Sequence, residues 1–167
     1  MPRHFGHPRD VAPGMTFDAR ADLAAAGVHR PLRRGISGSQ VEGCDSIVVC
    51  AGYEDDVDAW DVITYTGEGG RDHATHKQVL DQELTRGNRA LVLSHERGLP
   101  IRVSRGPMPG SPYAPERGYR YDGLYRVTRW WTETGRSGHV IYRFRLERMA
   151  GNRELAPPLV LAQPRST

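Results

Sequence analysis

Lysine is almost missing from this chain: of 23 basic residues among 167, only Lys77 is not arginine. Cysteine is nearly as scarce. Cys44 and Cys50 are the only two, too few for a disulfide framework and at a spacing that matches no common zinc signature. They read as small strand or turn residues in a reducing compartment. No apolar run approaches the length of a membrane span, and Met1-Pro2-Arg3-His4-Phe5 reads as no secretory leader. These shortages argue against a membrane protein and against a disulfide-stapled secreted module. The expectation is one cytoplasmic domain large enough to bury its own core.

The net charge of +3 is modest but unevenly spread. Positions 42–61 hold seven acids and no base, whereas arginines crowd both flanks. A GC-rich genome would produce the same preference for arginine over lysine. The consequence holds either way: guanidinium forks suit phosphate oxygens, and several on one face give salt-dependent binding to nucleic acid. An acidic stretch inside a basic chain argues against indiscriminate coating of DNA.

The chain divides into an extended arm over 1–15, a folded domain over 16–149, and a proline-bearing tail over 150–167. Thr16 or Asp18 is placed to cap a short helix over 19–26, which Gly27 ends. Positions 35–43 read as a loop. The run Ser46-Ile47-Val48-Val49-Cys50 has the length of a central strand, and Val62-Ile63-Thr64-Tyr65 is a second β-prone run. Helical spacing of Val79, Leu80 and Leu84 predicts a helix over 76–85. Short apolar segments follow at 90–93 and 101–103. Four prolines and three glycines make 106–118 a loop. The runs 124–131 and 140–146 read as a hairpin across 134–138, with Tyr142, Phe144 and Leu146 on one face and Arg143 and Arg145 on the other.

The most informative stretch reads Ala51-Gly52-Tyr53-Glu54-Asp55-Asp56, then Tyr65-Thr66-Gly67-Glu68-Gly69-Gly70-Arg71-Asp72. Two aromatic faces, carboxylates and permissive glycines are parts from which a site for a planar, hydrogen-bonding ring is built. The same residues equally describe an ordinary strand and hairpin turn.

Seven pieces in order decide for the first. With the two above stand Gly27-Val28-His29-Arg30-Pro31, Gly35-Ile36-Ser37-Gly38, Asp81-Gln82, Gly87-Asn88-Arg89-Ala90-Leu91, and Tyr119-Arg120-Tyr121-Asp122-Gly123-Leu124-Tyr125. Together they resemble the SET- and RING-associated domain family, also called SRA or YDG, as a bacterial stand-alone member. The resemblance implies an α+β fold, a crescent-shaped twisted β-barrel of the SRA/PUA-like kind flanked by a few short helices. It implies a reader of double-stranded DNA containing 5-methylcytosine, which swings the modified base out of the helix. Tyr53 and Tyr65 would sandwich the base, and Asp56 would accept the exocyclic N4 hydrogens of cytosine. Thr66 and the backbone of Ala51 and Gly52 would meet the rest of the ring. The loop Arg30, Arg33, Arg34, Gly35 and Ser37 would enter the duplex and fill the vacated space, and Arg71 and Lys77 would add DNA contacts.

Three departures from the family pattern stand out. Arg33-Arg34 occupy the loop tip where better-known members carry small apolar residues, so the wedge is charged; arginine suits an orphan guanine or, equally, a phosphate. The finger between Arg71-Asp72 and Asp81-Gln82 is shorter than in vertebrate members that read hemimethylated CpG, and the Asn-Lys-Arg tip is absent. Trp60 stands where the family often has glycine, and is expected to pack against the sheet.

Neither cofactor nor metal is expected. Glu54, Asp55, Asp56 and Asp58 lack the glycine and distal glutamate of an EF-hand loop. A nuclease core with a carboxylate two residues before a lysine fails at Thr75 and Lys77, so no catalysis is expected of this chain. A separate nuclease or regulatory protein would be its partner, with a cytoplasmic, nucleoid-associated location. An interaction scaffold without base specificity is the remaining alternative.

Overall fold

Eight β-strands and two α-helices make up residues 2–50 and 54–150, which the computed structural model describes. In chain order they are β1 Thr16–Phe17, α1 Arg20–Ala25, β2 Ile36–Ser39, β3 Gly43–Val49, β4 Val57–Asp58, β5 Val62–Thr66, α2 Arg86–Arg97, β6 Ile101–Arg105, β7 Tyr119–Thr134 and β8 Val140–Arg148. The strands form one sheet in the order β2-β3-β6-β7-β8-β5-β4, with β1 attached to β7. Only β3 and β6 run parallel; the other pairs are antiparallel. The α+β class is as expected. The edges β2 and β4 do not pair with each other, so the sheet stays open.

Every residue of β3 is buried, which explains its continuous apolar run. Helix α2 covers one face, where Cys44, Ile47 and Val49 pack with Ala90, Leu91 and Val92. On the other face Val48 joins Leu23 of α1, Val28 and Tyr121. The strand is therefore buried on both faces without being central; β7 occupies the middle of the sheet. Residues of the N-terminal arm lie against this second cluster. The Gly14 amide donates to the Tyr121 carbonyl at 2.7 Å, and Arg102 Nη1 donates to the Gly6 carbonyl at 3.1 Å.

Three local expectations are corrected. Residues 76–85 are not helical: Val79 and Leu80 are 47% and 66% exposed, and the chain folds back as a tight turn in which Asp72 Oδ1 accepts the amides of Ala74 and Thr75, each at 2.8 Å. The helix instead begins only at Arg86, after Thr85 as its extended N-cap residue, and is ended by Gly98 in the left-handed region (φ 64°). Four consecutive apolar residues over 90–93 hid it, because a short solid run carries no periodicity. The supposed loop 35–43 contains β2, which forms a hairpin with β3. The cap of α1 is Ala19, whose amide donates to Asp22 Oδ2 at 3.0 Å, rather than Thr16 or Asp18.

Trp60 packs as expected and is 3% exposed. Its φ of 68° is a glycine-like conformation. What holds it there is a cage of guanidinium groups over the indole, Arg105 at 4.6 Å, Arg148 at 5.0 Å and Arg120 at 5.6 Å from the ring centroid. Among the described residues no helix is long and apolar enough to cross a membrane.

Candidate nucleic-acid interface

Strand β5 alternates sides, and that alternation builds the site. Tyr65 points into the core, 5% exposed, with its hydroxyl donating to the Val48 carbonyl at 3.4 Å. Thr66, the last residue of β5, is 1% exposed. Its backbone amide donates to Asp56 Oδ1 at 2.7 Å, which brings the acidic turn over the end of β5. The Thr66 hydroxyl is buried beside that carboxyl but completes no well-formed hydrogen bond.

No cation comes within 4.0 Å of Asp56 among the described residues. Burial of the carboxyl pushes its pKa up to about 6, and donation from Thr66 draws it back only part of the way. Asp58, two positions on, has the opposite surroundings. Arg105 Nε and Nη2 grip its two oxygens at 2.7 and 2.8 Å, and the Trp60 amide donates to it at 3.0 Å. The Thr66 hydroxyl is thus a buried polar atom without a well-formed hydrogen bond, and Asp56 a carboxyl without a cation among the described residues, an arrangement that a hydrogen-bonding ligand relieves.

Thr66, though not Asp56, lines a cavity of about 680 Å³. Tyr65, Thr66 and Gly35 line one part, and Arg33, Arg34, Arg71 and Arg86 form much of its rim. Gly35 is obligatory, since a Cβ there would stand 2.7 Å from the Tyr65 hydroxyl. So is Gly70, at φ 72°, where a Cβ would meet the Leu80 carbonyl oxygen at 2.2 Å.

The two tip arginines are not equivalent. Arg34 is held at both ends. Its guanidinium pairs with Glu68 Oε1 at 2.5 Å, and its carbonyl accepts from Arg20 and from His29 Nε2, the latter at 2.9 Å. His29 is fully buried, and burial depresses its pKa to about 4. It is therefore neutral at pH 7, and with Nε2 donating, Nδ1 accepts the Ser46 hydroxyl at 2.7 Å. Glu68 is itself fixed, accepting the Gly87 amide at 3.0 Å while Asn88 holds its backbone from both sides at 2.8 and 2.9 Å. Arg33 has no ion pair among the described residues and is free to reach a ligand.

Not every expected contact lies here. Tyr53, Ala51 and Gly52 fall outside the described residues, so one half of the expected sandwich is placed and the other is not. Ser37 is 2% exposed and accepts from Arg3 at 3.1 Å; it is not on the cavity wall. Arg30 donates to the Pro2 carbonyl at 3.2 Å and approaches Asp45 at 3.9 Å, away from the rim. Arg71 lines the cavity and donates to the His76 carbonyl at 3.0 Å, whereas Lys77 is exposed beyond the wall. Glu68, His29 and Arg86 carry parts of the site that the sequence reading did not single out. Glu68 stood inside a quoted motif, but its link to position 34 spans the domain.

The SAD/SRA domain profile matches residues 4–152. The chain belongs to the SAD/SRA domain family. Rat UHRF1, an E3 ubiquitin-protein ligase, is 41% identical over 165 residues, covering 87% of this chain and 21% of its own length. A modification-dependent restriction endonuclease, TagI, has a similar structure at 43% identity and a TM-score of 0.86, over 89% of this chain and 53% of that one. The SUVH5 SRA domain in complex with hemimethylated CG DNA matches at 36% identity and a TM-score of 0.77, over 92% of this chain and 99% of that domain. This SRA domain therefore spans about a fifth of the length of the curated relatives it matches.

Proposed function

We propose that this SRA domain binds double-stranded DNA carrying 5-methylcytosine and holds the modified base, turned out of the helix, against Tyr65, Asp56 and Thr66. The carrying observation is Asp56, a carboxyl with no cation within 4.0 Å among the described residues, bonded to Thr66, which with Tyr65 lines a cavity rimmed by arginines. An ionised carboxylate accepts from the N4 amino group of cytosine and repels the carbonyl oxygen that thymine presents there. Stacking on an aromatic ring contributes roughly 1–3 kcal/mol, comparable to the few kcal/mol that unstacking and unpairing cost. Stacking thus offsets the flip, and Asp56 chooses the base. Burying the methyl adds about 0.8 kcal/mol, roughly a fourfold preference. Tyr53, Ala51 and Gly52 would complete the pocket.

Arg33 is the wedge, and Arg34 the tether that holds its loop; Arg71 and Arg86 would meet phosphates. Ser37 and Arg30 would act through the arm and the loop base rather than by touching DNA, and Lys77 at most meets outlying phosphates. The short finger, with Asp72 Oδ1 tied to its own backbone, has no insert to police the opposite strand, so strict hemimethyl CpG selectivity does not carry over. We assign no catalytic step to this chain. Its likeness to TagI favours a second form of the same reading, in which it serves as the recognition part of a modification-dependent nuclease. A cytoplasmic, nucleoid-associated place follows from DNA binding.

The test is fluorescence anisotropy with one duplex in unmodified, hemimethylated and fully methylated forms across several salt concentrations. Tighter binding to a methylated form that persists as salt rises supports base reading. Equal binding that fades with salt leaves only an arginine surface and overturns it.

A further inference from the structure

Strands β7 and β8 pair as far as Thr134 and Val140, beyond the last pairing of β5 with β8 at Thr66 and Arg143. The tip of this ribbon projects past the end of β5 and meets the acidic turn there. Ser137 Oγ donates to Glu54 Oε1 at 2.6 Å, and the Arg136 amide donates to Asp55 Oδ1 at 3.2 Å. A Cβ on Gly135 would stand 3.0 Å from Asp55 Oδ2, so the contact is close. Among the described residues, all hydrogen bonds of Glu54 and Asp55 go to this tip. On its other side the ribbon holds the segment that leaves the cavity wall. The Val140 amide donates to Asp81 Oδ1 at 2.8 Å, and Gln82 bridges the Tyr142 amide and the Gly67 carbonyl at 2.9 and 2.7 Å.

We propose that the β7–β8 hairpin tip is a brace for the base-reading turn, with Ser137 as a positioning residue for discrimination of the modified base. The inference rests on the assignment of Asp56 as the base-reading acid. It divides the acidic turn by role: Glu54 and Asp55 anchor the turn outward to the hairpin, and Asp56 faces inward. The Ser137 contact acts on preference and not on phosphate attraction, because it fixes where the turn stands and is itself uncharged. The tip's one cation, Arg136, approaches Asp55 at 4.0 Å and is left in place.

The test uses the full chain with Ser137→Ala, Ser137→Thr, Glu54→Ala and the Ser137→Ala/Glu54→Ala pair. Affinities for the methylated and unmodified duplex are read at several salt concentrations, and backbone hydrogen exchange of residues 54–58 is read without DNA. Ser137→Ala is expected to lower the preference for the methylated duplex about two- to tenfold, the range for one lost hydrogen bond. The salt slope stays unchanged, the threonine variant restores the preference, and the double variant loses no more than either single one. Exchange of 54–58 speeds up in the alanine variants. An unchanged preference in Ser137→Ala, or additive losses in the pair, overturns the brace. Wild-type protein that prefers neither duplex overturns the base-reading assignment instead; the brace then stands or falls on the exchange data, and unchanged exchange overturns it.

Discussion

Asp56, just past the acidic turn, and Asp58, in β4, lie two residues apart, and the structure treats them in opposite ways. Asp58 is 3% exposed at its side chain and receives a bidentate arginine. Asp56 receives one backbone amide and no cation among the described residues. The first is a structural acid that holds Arg105 with both oxygens and also accepts the Trp60 amide. The second carries the cost of burial without the compensation, as a group kept for a ligand does. Neighbours in sequence can thus hold unrelated jobs, and partner inventories separate them where residue type does not.

The largest effect expected from breaking this contrast is at the satisfied acid. Asp58→Ala removes the bidentate partner of the buried Arg105, which keeps Asp122 Oδ2 at 2.9 Å, and should cost about 3 kcal/mol of folding stability, measured by urea unfolding. A loss below about 1 kcal/mol would remove the Arg105 cluster from the list of what holds the sheet together.

Asp56→Asn should do the reverse. It keeps an acceptor for the Thr66 amide and removes the charge. The native pKa of about 6 lies above the ordinary value of 3.8, so between those pH values the native state holds more protons than the unfolded chain. Wild-type stability therefore falls as pH rises from about 4 to about 6 and is level above, a penalty of up to about 3 kcal/mol. The asparagine variant lacks this fall and should melt higher at pH 7. Its affinity for methylated DNA should drop roughly 10- to 100-fold, the range for a hydrogen bond to a charged group. In wild type the excess affinity for the methylated duplex should decline as pH drops below 6, because an accepting carboxylate must be ionised. A variant that binds as wild type does, with an unchanged pH profile, would take Asp56 out of the pocket.

Thr66→Val sharpens the comparison at smallest amplitude. It replaces an orphaned hydroxyl with a methyl of similar shape, so stability should hold or rise slightly while affinity for methylated DNA falls by about two- to tenfold. Thermal melting and anisotropy on one preparation read both. Unchanged affinity would confine the hydroxyl to a packing role.

Much of this was legible without coordinates. The β5 run, the β7–β8 hairpin and its two faces follow from alternation, a local pattern that strand geometry enforces. The motif series identified the family, and with it Tyr65, Thr66 and Asp56 as companions. The helix was misplaced because 76–85 mimics helical spacing by coincidence, while the true helix hides its apolar face in an unbroken run. Ser37 was expected at DNA as part of the loop that the family resemblance places in the duplex; in β2 it is buried and meets Arg3.

The sequence by itself determined the fold class and the family, since these rest on short-range periodicity and contiguous motifs, and it named the residues proposed above for the pocket. Tertiary structure alone decided which acid is satisfied, which tip arginine is tethered, and what steadies the acidic turn. Those outcomes depend on pairs such as Arg34 with Glu68 and Glu54 with Ser137, which lie 34 and 83 positions apart. No local pattern encodes such a pair, because it forms only when the whole sheet brings its two ends together.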